Sequence, residues 1–198
     1  MNRFAIGYAA IATPLVGFAL WIVINHESRA EGAVQQSPRA IVVPPGAGRI
    51  GFPGEWKLTA QQGSGAYSMV EIKVPKNSKL PPGPAGHVHT REDESWYIID
   101  GELQFEVGDE TVTAGPGSLV YAPRNVPHSY RVVKAPARYL LMFTPAGIEP
   151  LFAEVAELRK RYPNEGDEYH AELEKVQAKY GARPAKGWVK PSERAPGH

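Results

Sequence analysis

From residue 50 to residue 145 a turn signal interrupts the chain roughly every ten residues, and no other feature of the sequence narrows the fold as much. Gly63-Ser64-Gly65, Pro81-Pro82-Gly83-Pro84, Asp100-Gly101, Gly108-Asp109, Gly115-Pro116-Gly117 and Pro123-Arg124-Asn125 each bring residues suited to a tight reversal. Proline presets φ, glycine accepts positive φ, and Asn or Asp bonds its own backbone. The intervening runs 56–61, 67–74, 95–99, 102–107, 111–114, 118–122, 128–133 and 138–144 are short and β-prone. Eight strands of that length predict a jelly roll or closed barrel over residues 50–146. Leu103, Phe105 and Val107 alternate with Glu102, Gln104 and Glu106, which predicts one buried and one wet face for that strand. Gly 20 and Pro 19 among 198 residues make about a fifth, where ~12% is usual, and this disfavours a helical bundle.

Composition closes off several chemistries. With Cys 0, disulfides, thiolate nucleophiles, iron–sulfur clusters and Cys-ligated zinc are excluded, so any metal must rest on His and carboxylate. Lys+Arg 22 against Asp+Glu 21 leaves a net charge of +1 and no electrostatic case for a nucleic-acid partner. No Ser-His-Asp order, phosphate loop or nucleotide fingerprint is present in the sequence.

The two ends read differently from the middle. Phe4 to Ile24 is a run of 21 residues without a charge, long enough at ~1.5 Å per residue to span a ~30 Å hydrocarbon core. Residues 1–30 therefore read as a membrane anchor or a signal peptide. Run length and Trp21 near one end favour the uncleaved anchor, while Ser28-Arg29-Ala30 offers a cleavage site. A slight charge bias puts the N-terminus inside and the rest periplasmic or extracellular, tethered or exported after cleavage. Residues 31–49 mix Pro, Gly, Gln and Ala without a period and read as a linker. In residues 147–198 the period changes: Leu151, Phe152, Val155 and Leu158 form one helical stripe over 149–162, and Leu173, Val176 and Tyr180 form a second over 169–180. Gly181 is placed to stop it, and 184–198 reads as a loosely held tail.

The chemistry concentrates in the middle. His87 and His89, two apart, share a strand face. A hairpin return can bring Glu94, with Trp96 and Ile98 in the same parity, onto that face, although a one-residue slip would present Glu92 instead. His128, after Pro127 and before the next strand, supplies a fourth ligand. Three imidazoles and one carboxylate suit a single divalent first-row ion, Mn, Fe, Co, Ni, Cu or Zn, with positions left open for substrate or O2. Trp96, Phe105 and Tyr130 are candidates for an aromatic substrate pocket, or for simple filling of the barrel.

This pattern resembles the cupin superfamily. Its first motif, His-x-His-x4-Glu-x6-Gly, is met by His87, His89, Glu94 and Gly101 in GHVHTREDESWYIIDG. Its second, Gly-x5-Pro-x-Gly-x2-His-x3-Asn, is met by Gly117, Pro123 and His128 in GSLVYAPRNVPHSYRV, with Asn125 for the central Gly and Val132 for the last Asn. Pro81 stands where the family usually has a Gly before the first His. Asn tolerates positive φ, so the turn survives its change. The resemblance covers about residues 56 to 145 and implies a cupin jelly-roll barrel with a metal on these four side chains. PPGPAGHVHTREDESWYIIDGELQFEVGDETVTAGPGS, PRNVPHSYRV and YLLMFTPAGIEPLF look more narrowly like bacterial single-cupin proteins of the quercetin 2,3-dioxygenase-like group.

That likeness implies a dioxygenase acting with O2 on a flavonol-like or other enolisable aromatic, with Glu94 both ligand and partner of the substrate hydroxyl. Two alternatives share the fold: a non-redox isomerase, decarboxylase or lyase using the metal as a Lewis acid, and a non-catalytic cupin that binds a metal or small ligand. A structural subunit that binds a partner through 149–180 is a further reading. The family's habit of pairing through sheet edges makes a homodimer an expectation.

Overall fold

The computed structural model describes residues 40–77 and 83–194. The expected anchor or signal segment at 1–30, the linker up to residue 39 and Pro81 lie outside the described residues. Among the described residues nine strands follow in order: β1 (Arg49–Gly51), β2 (Gly54–Leu58), β3 (Ser68–Val74), β4 (His87–His89), β5 (Asp93–Val107), β6 (Glu110–Ala114), β7 (Leu119–Ala122), β8 (His128–Thr144) and, after two helices, β9 (Ala182–Pro184). The helices are α1 (Glu149–Arg161) and α2 (Asp167–Lys179). The mostly-β jelly-roll expectation and the two C-terminal helices hold.

β5 and β8 organise the barrel. The first half of β5 pairs with β7 and the second half of β8, which continues into β3, β2 and β1. The second half of β5 pairs with β6 and the first half of β8, next to β4 and β9. Both long strands thus cross from one face of the barrel to the other. Turn chemistry at Asp100-Gly101 predicts a break, but the structure runs straight through it. Register slips on both sides of Asp100, and Gly101 has φ +80°. A Cβ at Gly101 would lie 2.5 Å from the Pro136 carbonyl oxygen and 2.6 Å from that of Lys134. The residue is therefore a bulge that redirects one strand, not a turn that ends it.

Inward rows follow from the register. Ser68, Phe143, Glu94 and Ala122 stand opposite one another across one face, and Val70, Leu141, Trp96 and Val120 form the next row. Trp96, Phe105, Phe143, Ile98, Leu103 and Leu141 are fully enclosed. At ~25 cal/mol per Å² of apolar surface removed from water, each such side chain contributes roughly 1.5–3 kcal/mol. The polar ends of Glu94 and the histidines ride on top of this apolar stack.

The C-terminal region departs from the sequence expectation. α1 opens with Glu149, whose carboxylate accepts the Ala60 N–H at 2.5 Å, and Phe152 packs against Phe52, Trp56 and Phe143. α2 stops at Gly181, φ +78°. Beyond it lies no loose tail through Arg194. Ala182 and Pro184 pair with His89 and His87, so β9 is the outer neighbour of β4. Trp188 donates its indole N–H to the Gly108 carbonyl at 3.0 Å, and Arg194 reaches Asp109 at 2.8 Å. The same strap buries Glu106, which the strand alternation places on the wet face. Its carboxylate accepts from Thr111 Oγ1 at 2.7 Å and from the Ser192 N–H at 3.4 Å. Strand alternation assigns a face, and only the later segment of chain decides whether water reaches it.

Candidate metal centre

The four sequence-selected ligands meet. His87 and His89 come from β4, Glu94 from the start of β5 and His128 from the start of β8. One ligand atom from each lies within 4.8 Å of all the others, and all four side chains are buried. Two atoms each ~2.1 Å from a common ion stand at most ~4.2 Å apart, so fractions of an ångström separate this arrangement from a coordination sphere. Glu94 Oε2 is the hub, 2.9 Å from His128 Nε2, 3.2 Å from His89 Nε2 and 3.9 Å from His87 Nε2. Glu94, not Glu92, is the carboxylate that enters the cluster. It does so without the expected hairpin return, since β4 pairs with β8 and β9 and not with β5.

Second partners orient the imidazoles. His87 Nδ1 donates to the Ala85 carbonyl and His128 Nδ1 to the Val126 carbonyl, each at 2.9 Å. A carbonyl oxygen only accepts, so the proton sits on Nδ1 and Nε2 is the atom turned to the cluster. The turn before His128 is tied into both neighbours. Asn125 donates its N–H to the His89 carbonyl at 2.7 Å, and Arg124 grips the Asp93 carboxylate through Nε and Nη2 at 3.0 and 2.9 Å. Asn125 has φ +66°, the conformation its substitution for glycine requires.

Electrostatics agree with a cation at the hub. Burial alone would raise the Glu94 pKa, but the surrounding imidazoles, His128 foremost at 2.9 Å, outweigh it and hold the carboxyl well below the usual range. Burial pulls His87 down. For His128 burial also pulls down, yet the hydrogen bond and charge of Glu94 win and raise it. A buried carboxylate ringed by imidazoles calls for a positive charge beside it, and a divalent ion on three Nε2 atoms and one carboxylate oxygen meets that demand. The residues present fit such an ion; their types do not select among Mn, Fe, Co, Ni, Cu and Zn.

The three aromatic candidates line up just below the ligands. Trp96 lies 5.1 Å from Phe105, 5.2 Å from Tyr130 and 5.9 Å from His128, ring centre to ring centre. Trp96 and Phe105 expose nothing and fill the barrel. Only Tyr130 keeps partial exposure. Burial drives its phenol well above the ordinary value and that of neighbouring Tyr139 to about 12, so both stay protonated donors. Sequence reasoning did not find the burial of Glu92 or the strap over β4. The run Ala182-Arg183-Pro184 is too short for any period to show.

A small antiparallel barrel holding three imidazoles and a carboxylate at one end is the architecture of a cupin. Residues 77–143 match the family model of the Cupin domain, and the chain carries a type-2 cupin domain. Quercetin 2,3-dioxygenase of Bacillus subtilis is 24% identical over 88 residues, 44% of this chain and 25% of that protein. An uncharacterized protein of Streptomyces coelicolor is 33% identical over 54 residues, 27% of this chain and 51% of that protein. The matches thus span about a quarter and about half of these curated relatives. Among solved structures, an uncharacterized protein with a double-stranded β-helix domain from Klebsiella pneumoniae is 16% identical, covering 56% of this chain and 93% of that one, with a TM-score of 0.41.

Proposed function

We propose that the protein is a metal-dependent cupin dioxygenase that uses O2 to cleave a flavonol-like or other enolisable aromatic substrate. The observation that carries this reading is the buried convergence of His87, His89, His128 and Glu94. The partial likeness to quercetin 2,3-dioxygenase supports the choice of reaction class. A bound divalent ion would supply Lewis acidity and a meeting point for an enol oxygen and O2. His87, His89 and His128 would hold it through Nε2. Glu94, kept ionised by the surrounding imidazoles, is the base within reach of a substrate hydroxyl placed there. Trp96 and Phe105 keep water from the floor of the site, and Tyr130 offers a protonated phenol beside it. We further infer that residues 4–24 tether this domain to a membrane. Among the described residues no helix is long and apolar enough to cross one, so the tether rests on that uncharged run.

The test is elemental analysis of protein purified without added metal, followed by an oxygen-electrode screen with flavonols and other enolisable aromatics. One equivalent of metal and substrate-dependent oxygen uptake are expected. Stoichiometric metal with turnover but no oxygen uptake would replace the dioxygenase with a Lewis-acid isomerase, decarboxylase or lyase. Ligand binding without turnover would leave a non-catalytic cupin.

A further inference from the structure

Two of the three histidines find a backbone carbonyl for Nδ1, and the third does not. His89 Nδ1 is buried without a hydrogen-bond partner among the described residues, and so is Glu92 Oε2. These two atoms face each other at 3.8 Å, on side chains 4% and 5% exposed. Glu92 belongs to the short connection between β4 and β5, three residues after His89, and its carboxyl has no role in the four-residue cluster. Burying a carboxyl without a partner costs stability, and native proteins seldom leave such a group inside without a use. A metal-binding imidazole, in turn, needs an acceptor at the nitrogen that faces away from the ion.

We propose that Glu92 is the positioning residue for His89: it accepts the Nδ1–H and thereby fixes the tautomer that turns the Nε2 lone pair to the ion. The inference rests on the metal reading of His87, His89, Glu94 and His128. It gives the three histidines equivalent support by different means, two from carbonyls of their own flanking turns and one from a carboxylate. It also accounts for the acidic run Glu92-Asp93-Glu94, whose members separate into three roles. Glu92 backs a ligand, Asp93 binds Arg124, and Glu94 enters the cluster. Among the described residues no Lys or Arg forms an ion pair with Glu92, and the side chain that its Oε2 faces is His89.

The full chain carrying Glu92→Leu, Glu92→Gln or His128→Ala is compared with the parent by competition titration with Zn2+ against a chromophoric chelator. Glu92→Leu is expected to weaken zinc binding by about 10–100-fold. Glu92→Gln, whose amide oxygen accepts the same hydrogen, is expected to restore most of that loss. Nitrogen-15 imidazole spectra of the zinc-loaded parent are expected to show His89 protonated at Nδ1, with that proton exchanging faster in Glu92→Leu. Zinc binding by Glu92→Leu equal to the parent's, or a His89 protonated at Nε2, would overturn the proposal. If Glu92→Leu does not fold, the His89 Nδ1–H signal in Glu92→Gln decides, its loss counting against the role. Undiminished zinc binding by His128→Ala would instead bring down the metal reading itself, so the two failures are distinguishable.

Discussion

His128 and Glu94 sit on the two longest strands of the barrel, while His87 and His89 sit on a strand of three residues. β5 and β8 pair with each other along most of their length, and a side chain at either start is fixed by that ladder. β4 touches β8 through the single pair His87–His128 and owes the rest of its ladder to β9, a strand that follows both helices. Half of the site is thus built into the barrel and half is held by a strap returning from the C-terminus. The contrast separates what makes the fold from what completes the site.

The largest effect is expected inside the barrel-borne half. Replacing His128 or Glu94 with Ala removes the atoms at the hub, 2.9 Å apart, and should lower Zn2+ affinity by more than about 100-fold, or ~2.7 kcal/mol. Equilibrium dialysis checks this, with far-ultraviolet circular dichroism to confirm that the barrel persists. Retention of metal by both variants would place the ion elsewhere.

The strap is the next target. The Trp188 ring lies against Gly86, one residue before His87: a Cβ at Gly86 would meet it at 2.7 Å. Trp188→Ala is expected to cost about tenfold in Zn2+ affinity, ~1.4 kcal/mol, and to speed amide hydrogen exchange in β4 while β5 and β8 keep their protection. Equal loosening of all three strands would mean that the strap stabilises the whole barrel, and the contrast would fail.

The same division explains what could be read in the sequence. His87 and His89 follow from strand parity, because a strand's two-residue period survives any packing, and His128 from its place after a proline turn. Between Glu94 and Glu92 the sequence leaves the choice open, and the pairing of β5 with β7 and β8 makes it. The mostly-β class followed from the recurring turn signals, and both helices from apolar stripes of helical period. The continuity of β5 did not, since Asp100-Gly101 is compatible with a turn and with a bulge, and only the carbonyls of Lys134 and Pro136 close around it to decide. Nor did the burial of Glu106 and the pairing of β9 with β4. Both depend on contacts between residues about ninety positions apart, where local pattern carries no signal.

A charge network on the outer face offers the converse experiment. Glu71 is buried, and it accepts from Arg138 and lies 3.1 Å from Lys57 and 3.5 Å from Lys73. Burial pushes its pKa up, but the bonds from Arg138 and Lys57 prevail and hold it below the ordinary value. Its contribution to stability is therefore complete above the unfolded carboxylate pKa, ~4.3, and disappears as pH falls through the lowered folded value. Glu71→Gln should cost about 1 kcal/mol at pH 7, discounted for the half-exposed Arg138 and Lys73, and less in acid. Zinc affinity should not move. Urea unfolding at several pH values checks the first statement, and a drop in affinity would tie the outer face to the site.

Asn125 tests the seam between the two halves with the smallest change. Its N–H holds the His89 carbonyl, its neighbour Arg124 holds Asp93, and His128 follows three residues later. The backbone there is left-handed, φ +66°, which a Cβ opposes and glycine does not. Asn125→Gly should leave stability within about 0.5 kcal/mol of the parent, whereas Asn125→Ala, which loses the local tolerance of Asn, should cost about 1 kcal/mol. Since the backbone N–H survives in both, zinc affinity should follow neither change. A selective loss of affinity in Asn125→Gly would show that the turn must be stiff as well as left-handed to hold β4 and β8 in step.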